Sequence, residues 1–203
     1  KSSRSSRSSR SSSSDIDYVL NIKQVPVVYV FTEKLIETLE EVILEDNFDS
    51  GHLISCLFQI SYALSYLQKH YLFTHNDLHV NNIMYNHTKR SHIYYQINNQ
   101  YYKIPTYGKI YKIIDFGRSI FTYNNKLFHN DCFSQHGEAA GQYYFPNQVP
   151  FCKQNTDKFI VKPNYSFDLC RLSITILEII KRYDISIINE LNELLTNMTT
   201  DSK

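Results

Sequence analysis

The sequence predicts a mixed α+β fold that is mainly α, and three segments carry this prediction. Residues 25–31, VPVVYVF, are β-branched and aromatic, which is typical of a buried strand. Apolar residues recur every three or four positions from Leu53 to Leu67, which indicates a helix packed along one stripe. The segment that begins at Asp168, DLCRLSITILEII, is apolar on nearly every face, so we expect a helix at the centre of a domain.

Composition and charge restrict the class of protein. The chain has 203 residues, of which 42% are hydrophobic and 20% charged, as in an ordinary globular domain with a core. The formal charge is +1, and residues 1–14, KSSRSSRSSRSSSS, hold four basic residues and no acidic one, so the remainder is slightly acidic. We therefore expect no specific nucleic-acid partner. Because residues 1–14 have nothing apolar to bury, we expect them to form a disordered tail.

The cysteines and the hydropathy pattern suggest a reducing compartment. Cys56, Cys132, Cys152 and Cys170 are far apart, without a C-x-x-C pair or a nearby histidine at zinc-ligand spacing. We expect free thiols rather than a disulfide or a metal site. No apolar run reaches the roughly 18 residues that cross a bilayer, and no apolar signal segment follows the tail. An intracellular, by default cytoplasmic, protein without a membrane partner is expected; the oligomeric state is open.

Short elements connect these segments. Residues 36–46, IETLEEVILED, predict a short acidic helix, and Asp49 or Ser50 is the expected N-cap of the longer helix after it. Residues 93–104, IYYQINNQYYKI, predict a hairpin that turns at two adjacent asparagines, 98–99, because asparagine tolerates the left-handed region.

The remaining chain alternates between loops and periodic stretches. Residues 73–85, FTHNDLHVNNIMY, fit neither a helix nor a strand throughout and predict a structured loop. Residues 109–114, KIYKII, predict a strand, whereas residues 118–165 predict a long, mostly irregular surface segment. An apolar stripe between Ile187 and Met198 predicts a last helix or a surface for a partner.

Two short motifs carry the candidate chemistry. In residues 75–82, HNDLHVNN, Asn82 follows Asp77 by five positions. The strand of residues 109–114 runs directly into Asp-Phe-Gly at 115–117. Together these motifs resemble the catalytic loop and the D-F-G motif of the protein-kinase superfamily.

The resemblance implies phosphoryl transfer from ATP, a reaction that depends mostly on positioning and electrostatics. Asp77 is the implied catalytic base. Asn82 and Asp115 are the implied ligands of Mg²⁺, which prefers hard oxygen donors. ATP and Mg²⁺ are thus the expected cofactors, and a protein substrate is the expected partner.

The flanking segments match the family in order, over roughly residues 25–182. Residues 15–35 resemble the last small-lobe strand and the hinge. Thr32 is the implied gatekeeper, and the backbones of Glu33 and Leu35 are the implied adenine contacts.

Four further residues are implied to support the site. His75 is expected to pack against Phe116 and so to join the two loops, and Gly117 completes the second motif. Asp168 heads a central helix, 168–181, and its carboxylate is expected to bind backbone N–H groups of the catalytic loop.

In the same resemblance, residues 36–203 form the large lobe, with a hairpin insertion at 86–108 and an activation segment at 118–165. The implied fold is a kinase-like large lobe with a hinge strand. Neither G-x-G-x-x-G nor V-A-I-K precedes Val25, so the small lobe is expected to be largely absent from this chain.

Some positions depart from the family pattern. Asn76 stands where an arginine is usual, which argues against switching by a phosphorylated activation segment. His79 replaces a usual lysine and resembles aminoglycoside and choline phosphotransferases. Asp115 lies 38 residues beyond Asp77, and a hairpin inserted between them resembles divergent kinases of large DNA viruses, for which the host cytoplasm is the expected compartment. The segment around Glu138 is the nearest match to A-P-E.

Three functional hypotheses follow. The first is a protein kinase, Ser/Thr-directed by default, because the long segment 118–165 has the length of a peptide-binding activation segment. The second is a truncated pseudokinase that acts as a binding module, since the glycine loop and its lysine are missing. The third is a small-molecule phosphotransferase, which His79 suggests.

Overall fold

The computed structural model describes residues 29–134, 136–140, 142 and 163–200. The chain divides into two units, Lys1–Glu33 and Lys34–Lys203. The described residues form a mixed α+β fold, as predicted. The helices are α1 Leu39–Ile43, α2 Ser50–Tyr71, α3 Phe167–Arg182 and α4 Asn189–Thr199. The strands are β1 Ile83–His87, β2 His92–Ile97, β3 Gln100–Pro105, β4 Lys109–Ile113, β5 Phe121–Tyr123 and β6 Lys126–Phe128.

Helices α1 and α2 both begin at side-chain caps, and that of α2, Asp49, is one of the two residues predicted. Thr38 and Glu41 form a capping box at the start of α1, which is shorter than the acidic stretch that predicted it. The carboxylate of Asp49 accepts hydrogen bonds from the backbone N–H groups of Gly51 (2.6 Å) and His52 (3.2 Å). These bonds satisfy donors that the first turn of α2 would otherwise leave unpaired.

The core lies between α1, α2, α3, α4 and β1. Helix α2 contributes its predicted leucine stripe, and Leu172 and Ile176 of α3 are fully buried. Helix α3 is not buried on every face, however, because Ile174 is 42% exposed. In α4, the side chains of Leu191 and Leu195 are buried, so the last apolar stripe packs on the core as a helix.

Each described sheet is an antiparallel pair. Strands β2 and β3 form the predicted hairpin, with Asn98 (φ 49°) and Asn99 (φ 64°) in the left-handed region at its turn. The hairpin packs on α2, where the ring of Tyr95 lies 5.2 Å from that of Phe58 and 4.6 Å from that of Tyr62.

Two segments contain strands where the sequence predicted loops. Residues 83–85 belong to β1, which pairs with β4 in the register Ile83↔Ile113. Strand β4 follows the whole β2–β3 hairpin in the sequence. The residues near β1 therefore did not indicate that it pairs with a strand. Within residues 118–165, β5 and β6 form a hairpin in which the rings of Phe121 and Phe128 stack at 5.2 Å. Residues 135, 141 and 143–162 of that segment lie outside the described residues.

The prediction of a buried strand at 25–31 is wrong for residues 29–31. They are in no strand, and Tyr29, Val30 and Phe31 are 78%, 81% and 92% exposed. No strand among the described residues pairs with them. Residues 25–28 and the tail 1–14 lie outside the described part of the chain.

The described cysteines are free thiols, as predicted: Cys56 and Cys132 are buried and Cys170 is half-buried. Burial raises the pKa of the Cys56 thiol. Cys152 lies outside the described residues. Of the helices that the structure describes, none combines the length and the apolar character that crossing a membrane requires.

Candidate active site

Asp168 fixes the backbone of the loop that holds Asp77. It is fully buried at the start of α3, where its Oδ2 accepts a hydrogen bond from His75 N (2.7 Å) and its Oδ1 from Asn76 N (2.8 Å). Burial raises the pKa of the Asp168 carboxyl, and the two backbone donors oppose this effect. The predicted contact between this carboxylate and the loop backbone is confirmed.

His75 joins the two candidate loops. Its ring is fully buried and lies 5.5 Å from the ring of Phe116, which confirms the predicted packing. The backbone N–H of Asp77 donates to His75 Nδ1 (3.3 Å), so Nε2 carries the proton and donates to Ile114 O at 2.9 Å. Ile114 N donates in turn to Asn82 O at 3.0 Å. The residue before Asp115 is therefore bonded to both ends of the segment 75–82.

Asn82 and Asp115 present oxygen atoms from opposite loops. Asn82 is buried, and its Nδ2 donates a hydrogen bond to Asp77 O at 2.9 Å. This bond identifies which end of the side-chain amide is the nitrogen and which is the oxygen. Asp115 is exposed and has left-handed backbone angles (φ 58°, ψ 74°). Its Oδ1 accepts a hydrogen bond from Gly117 N at 3.2 Å. Among the described residues Asp115 forms no ion pair.

The carboxylate of Asp77 is paired with two arginines. Oδ1 lies 2.7 Å from Arg171 Nη2 and 3.4 Å from Arg118 Nη1. Arg118 also reaches Glu138, with 2.9 Å between Nη2 and Oε1. The Glu138 hydrogen bond raises the pKa of Arg118 further above its ordinary value, and the charge of Asp77 acts in the same direction.

His79 lies within the electrostatic influence of both loops. Burial lowers its pKa, while the negative charges of Asp77 and Asp115 act to raise it. Its side chain accepts a hydrogen bond from Asn81 N at 3.3 Å and so caps the short helical turn that carries Asn82. The charges of the Asp77 and Asp115 carboxylates, one from each motif, therefore both act on the pKa of His79.

The segment after Gly117 is tied to the loop at Asn76. The side chain of Asn76 donates through Nδ2 to Arg118 O (2.9 Å). Its carbonyl accepts from Gln142 Nε2 (2.6 Å). Thr74 and Ile120 exchange two backbone hydrogen bonds of 2.9 Å each. The two segments are thus held side by side.

The predicted hinge residues have different surroundings. Thr32 and Glu33 belong to the first unit and are exposed, without regular secondary structure. Leu35 belongs to the second unit and is half-buried, next to Ile36, whose N–H donates to Tyr85 O at 2.9 Å. Their role as gatekeeper and adenine contacts stays a prediction.

Sequence reasoning missed Arg118 and Arg171, and it named Glu138 only within the nearest match to A-P-E, not as an ion-pair partner. Arg171 follows Asp168 by three positions, which places both on one face of a helix. Arg118 directly follows Asp115, Phe116 and Gly117. The sequence thus contained an indication for each arginine. The three-residue spacing between Asp168 and Arg171 was the stronger indication, because Asp168 was already expected to face the loop.

A search against models of protein families and a search of curated proteins found no match to this chain.

Proposed function

We propose that the protein is a phosphotransferase of the protein-kinase type, which transfers the γ-phosphate of ATP to a serine or threonine hydroxyl of a protein substrate. The observation that carries this proposal is the joining of the two loops. His75 bonds to Ile114, Ile114 bonds to Asn82, and Asn82 bonds to Asp77. Hydrogen bonds therefore connect Asn82 with the backbone of Asp77 and with Ile114, the residue before Asp115.

Asp77 accepts the proton of the acceptor hydroxyl in this proposal. The ion-pair distance of each arginine is to its Oδ1, and no hydrogen bond to Oδ2 is found among the described residues. The second oxygen thus remains for a substrate hydroxyl. A base of this kind contributes about 10² to 10⁴-fold to the rate.

The donor set of Asn82 and Asp115 fits magnesium. Mg²⁺ binds to proteins through one or two carboxylates and completes its shell with waters and substrate phosphates, so a small ligand set suffices. In the described part of the chain, no group of three or more His, Cys, Asp or Glu side chains is arranged to hold a metal ion. When bound with ATP, the ion would neutralise charge on the phosphates.

The first test is turnover of the Asp77→Asn variant. The full-length protein from the complete reading frame is incubated with labelled Mg-ATP and a general acceptor such as casein. The variant is expected to lose about 10² to 10⁴-fold in kcat, because asparagine cannot accept the proton. Asp46→Asn, at an exposed aspartate in the turn after α1, is the matched control. Undiminished turnover in Asp77→Asn would reject the assigned base.

A binding module is the second candidate, and the ion pairs of Asp77 favour it. A carboxylate held by two guanidinium groups is also what a non-catalytic site would show. Thermal denaturation with and without Mg-ATP distinguishes the candidates. Ligand at 100 times its Kd adds about 2.7 kcal/mol, which raises Tm by roughly 2 to 4 °C in a chain of this size. No shift at millimolar Mg-ATP indicates the module, a shift with turnover of a protein acceptor indicates the kinase, and turnover only with aminoglycoside or choline acceptors indicates the small-molecule enzyme.

A further inference from the structure

Two guanidinium groups from separate elements converge on one oxygen of the proposed base. Arg171 Nη2, from α3, lies 2.7 Å from Asp77 Oδ1, and Arg118 Nη1 lies 3.4 Å from it. That oxygen is buried from solvent, and the Asp77 side chain as a whole is 16% exposed. A carboxylate withdrawn from water is costly unless cations or hydrogen bonds compensate it. Oδ1 accepts no hydrogen bond among the described residues, so the two arginines compensate it by their charge.

Arg171 acts from the same helix face that anchors the loop backbone. Asp168, one turn earlier in α3, holds the backbone N–H groups of His75 and Asn76. Arg171 then reaches the carboxylate of the next residue, Asp77. One face of α3 therefore determines the path of the loop and also the direction of the side chain that the loop presents.

Arg118 is itself held at both ends. Its carbonyl accepts a hydrogen bond from Asn76 Nδ2 at 2.9 Å, and its guanidinium is paired with Glu138 at 2.9 Å. The contact of Arg118 with Asp77 thus comes from a residue whose backbone and side chain are both restrained. This makes Arg118 a second, weaker restraint on the same carboxylate oxygen.

We propose that Arg171, assisted by Arg118, is a positioning residue that fixes the Asp77 carboxylate by its Oδ1 and so aims Oδ2 at the acceptor hydroxyl. This inference rests on the proposed phosphoryl transfer. In that transfer the hydroxyl oxygen forms a bond to the γ-phosphorus, the bond from that phosphorus to the ADP oxygen breaks, and Asp77 takes the hydroxyl proton. Arg171 touches none of the reacting atoms and acts through Asp77 alone.

The test compares Arg171→Met with Arg171→Lys in the full-length protein, with kcat and KM measured for ATP and casein. Because a reacting group displaced by about 1 Å can cost about 10²-fold, Arg171→Met is expected to lower kcat by that order. Both KM values are expected to stay within about threefold, since substrate binding is retained. Arg171→Lys is expected to recover part of kcat, because it restores a cation near Oδ1.

Arg182→Met is the matched control, at an exposed arginine in the last turn of the same helix. It is expected to keep the wild-type kcat. A second control measures Arg171→Met in the Asp77→Asn background, where no further loss of kcat is expected, because the residue that Arg171 positions is already inactive.

Three kinetic results would overturn the inference: wild-type or higher kcat in Arg171→Met, a loss of kcat that is equal with and without Asp77, or a loss confined to KM. Tm values of the two single variants and the double variant provide a readout without activity, and additive losses of Tm would also contradict the pairing of Arg171 with Asp77. Failure of the proposed function is separate, since it shows as undiminished turnover in Asp77→Asn itself.

Discussion

At the scale of single residues, the site depends on side chains that bond to backbone more than to one another. Asp168 holds two backbone N–H groups, His75 holds one carbonyl and one N–H, and Asn82 holds the carbonyl of Asp77. Bonds to the backbone restrain the path of the loop that carries Asp77 and Asn82. Asp77 itself is restrained by arginines.

The Tyr85 phenol predicts a pH dependence of stability at alkaline pH. Tyr85 is buried and donates a hydrogen bond to Glu37 Oε2 at 3.2 Å. Burial, with the charge of Glu37, raises its pKa from 10.0 to about 12. The unfolded chain therefore releases the Tyr85 proton first as the pH rises. Its contribution to the free energy of unfolding is complete below about pH 10 and is lost as the pH approaches about 12.

Urea denaturation at about pH 9 and about pH 11 measures this effect, with Tyr85→Phe as reference. The free energy of unfolding of the wild type is expected to fall more between the two pH values than that of the variant. Other groups, including Tyr111, whose pKa burial also raises, titrate in both proteins and cancel in the comparison. An equal fall in both proteins would contradict the assignment.

At the scale of elements, local sequence predicted some structures and not others. The stripe of α2, its N-cap Asp49 and the turn at Asn98 and Asn99 depend on residues close in sequence, and all were predicted correctly. Strand β1 was missed because its partner is β4, beyond the inserted hairpin. The short hairpin β5–β6 was missed because three-residue strands show too little alternation to be recognised.

The attachment of the loop to α3 predicts the effect of Asp168→Asn. An asparagine keeps one acceptor oxygen, so one of the two N–H groups at His75 and Asn76 would face a second donor. Leaving a buried donor unpaired costs about 1 to 3 kcal/mol of unfolding free energy. Urea denaturation measures this loss, and Asp184→Asn, at an exposed position after α3, is the control. A loss no larger than that of Asp184→Asn would show that Asp168 does not carry the attachment.

At the scale of the whole molecule, the described fold brings residues from distant parts of the chain together at α3, where the candidate site lies. The contacts of Asp168 with the loop and of His75 with Phe116 were expected from resemblance alone, because no local pattern relates residues so far apart. Arg118 and Arg171 were not expected, since pairing between long side chains depends on the final packing of α3 against the loop. The assignment of ATP, magnesium and a protein acceptor stays a proposal.

We propose above all that Asn82 and Asp115, from two loops, share one metal ion with bound nucleotide. The most direct measurement is the affinity of the full-length protein for Mn²⁺-ATP, followed by electron paramagnetic resonance. Asn82→Ala and Asp115→Asn are each expected to weaken Mn²⁺ binding on the order of tenfold, because each removes one hard oxygen ligand or its charge. Asp46→Asn is expected to bind as the wild type does. Unchanged affinity in both site variants would contradict the account.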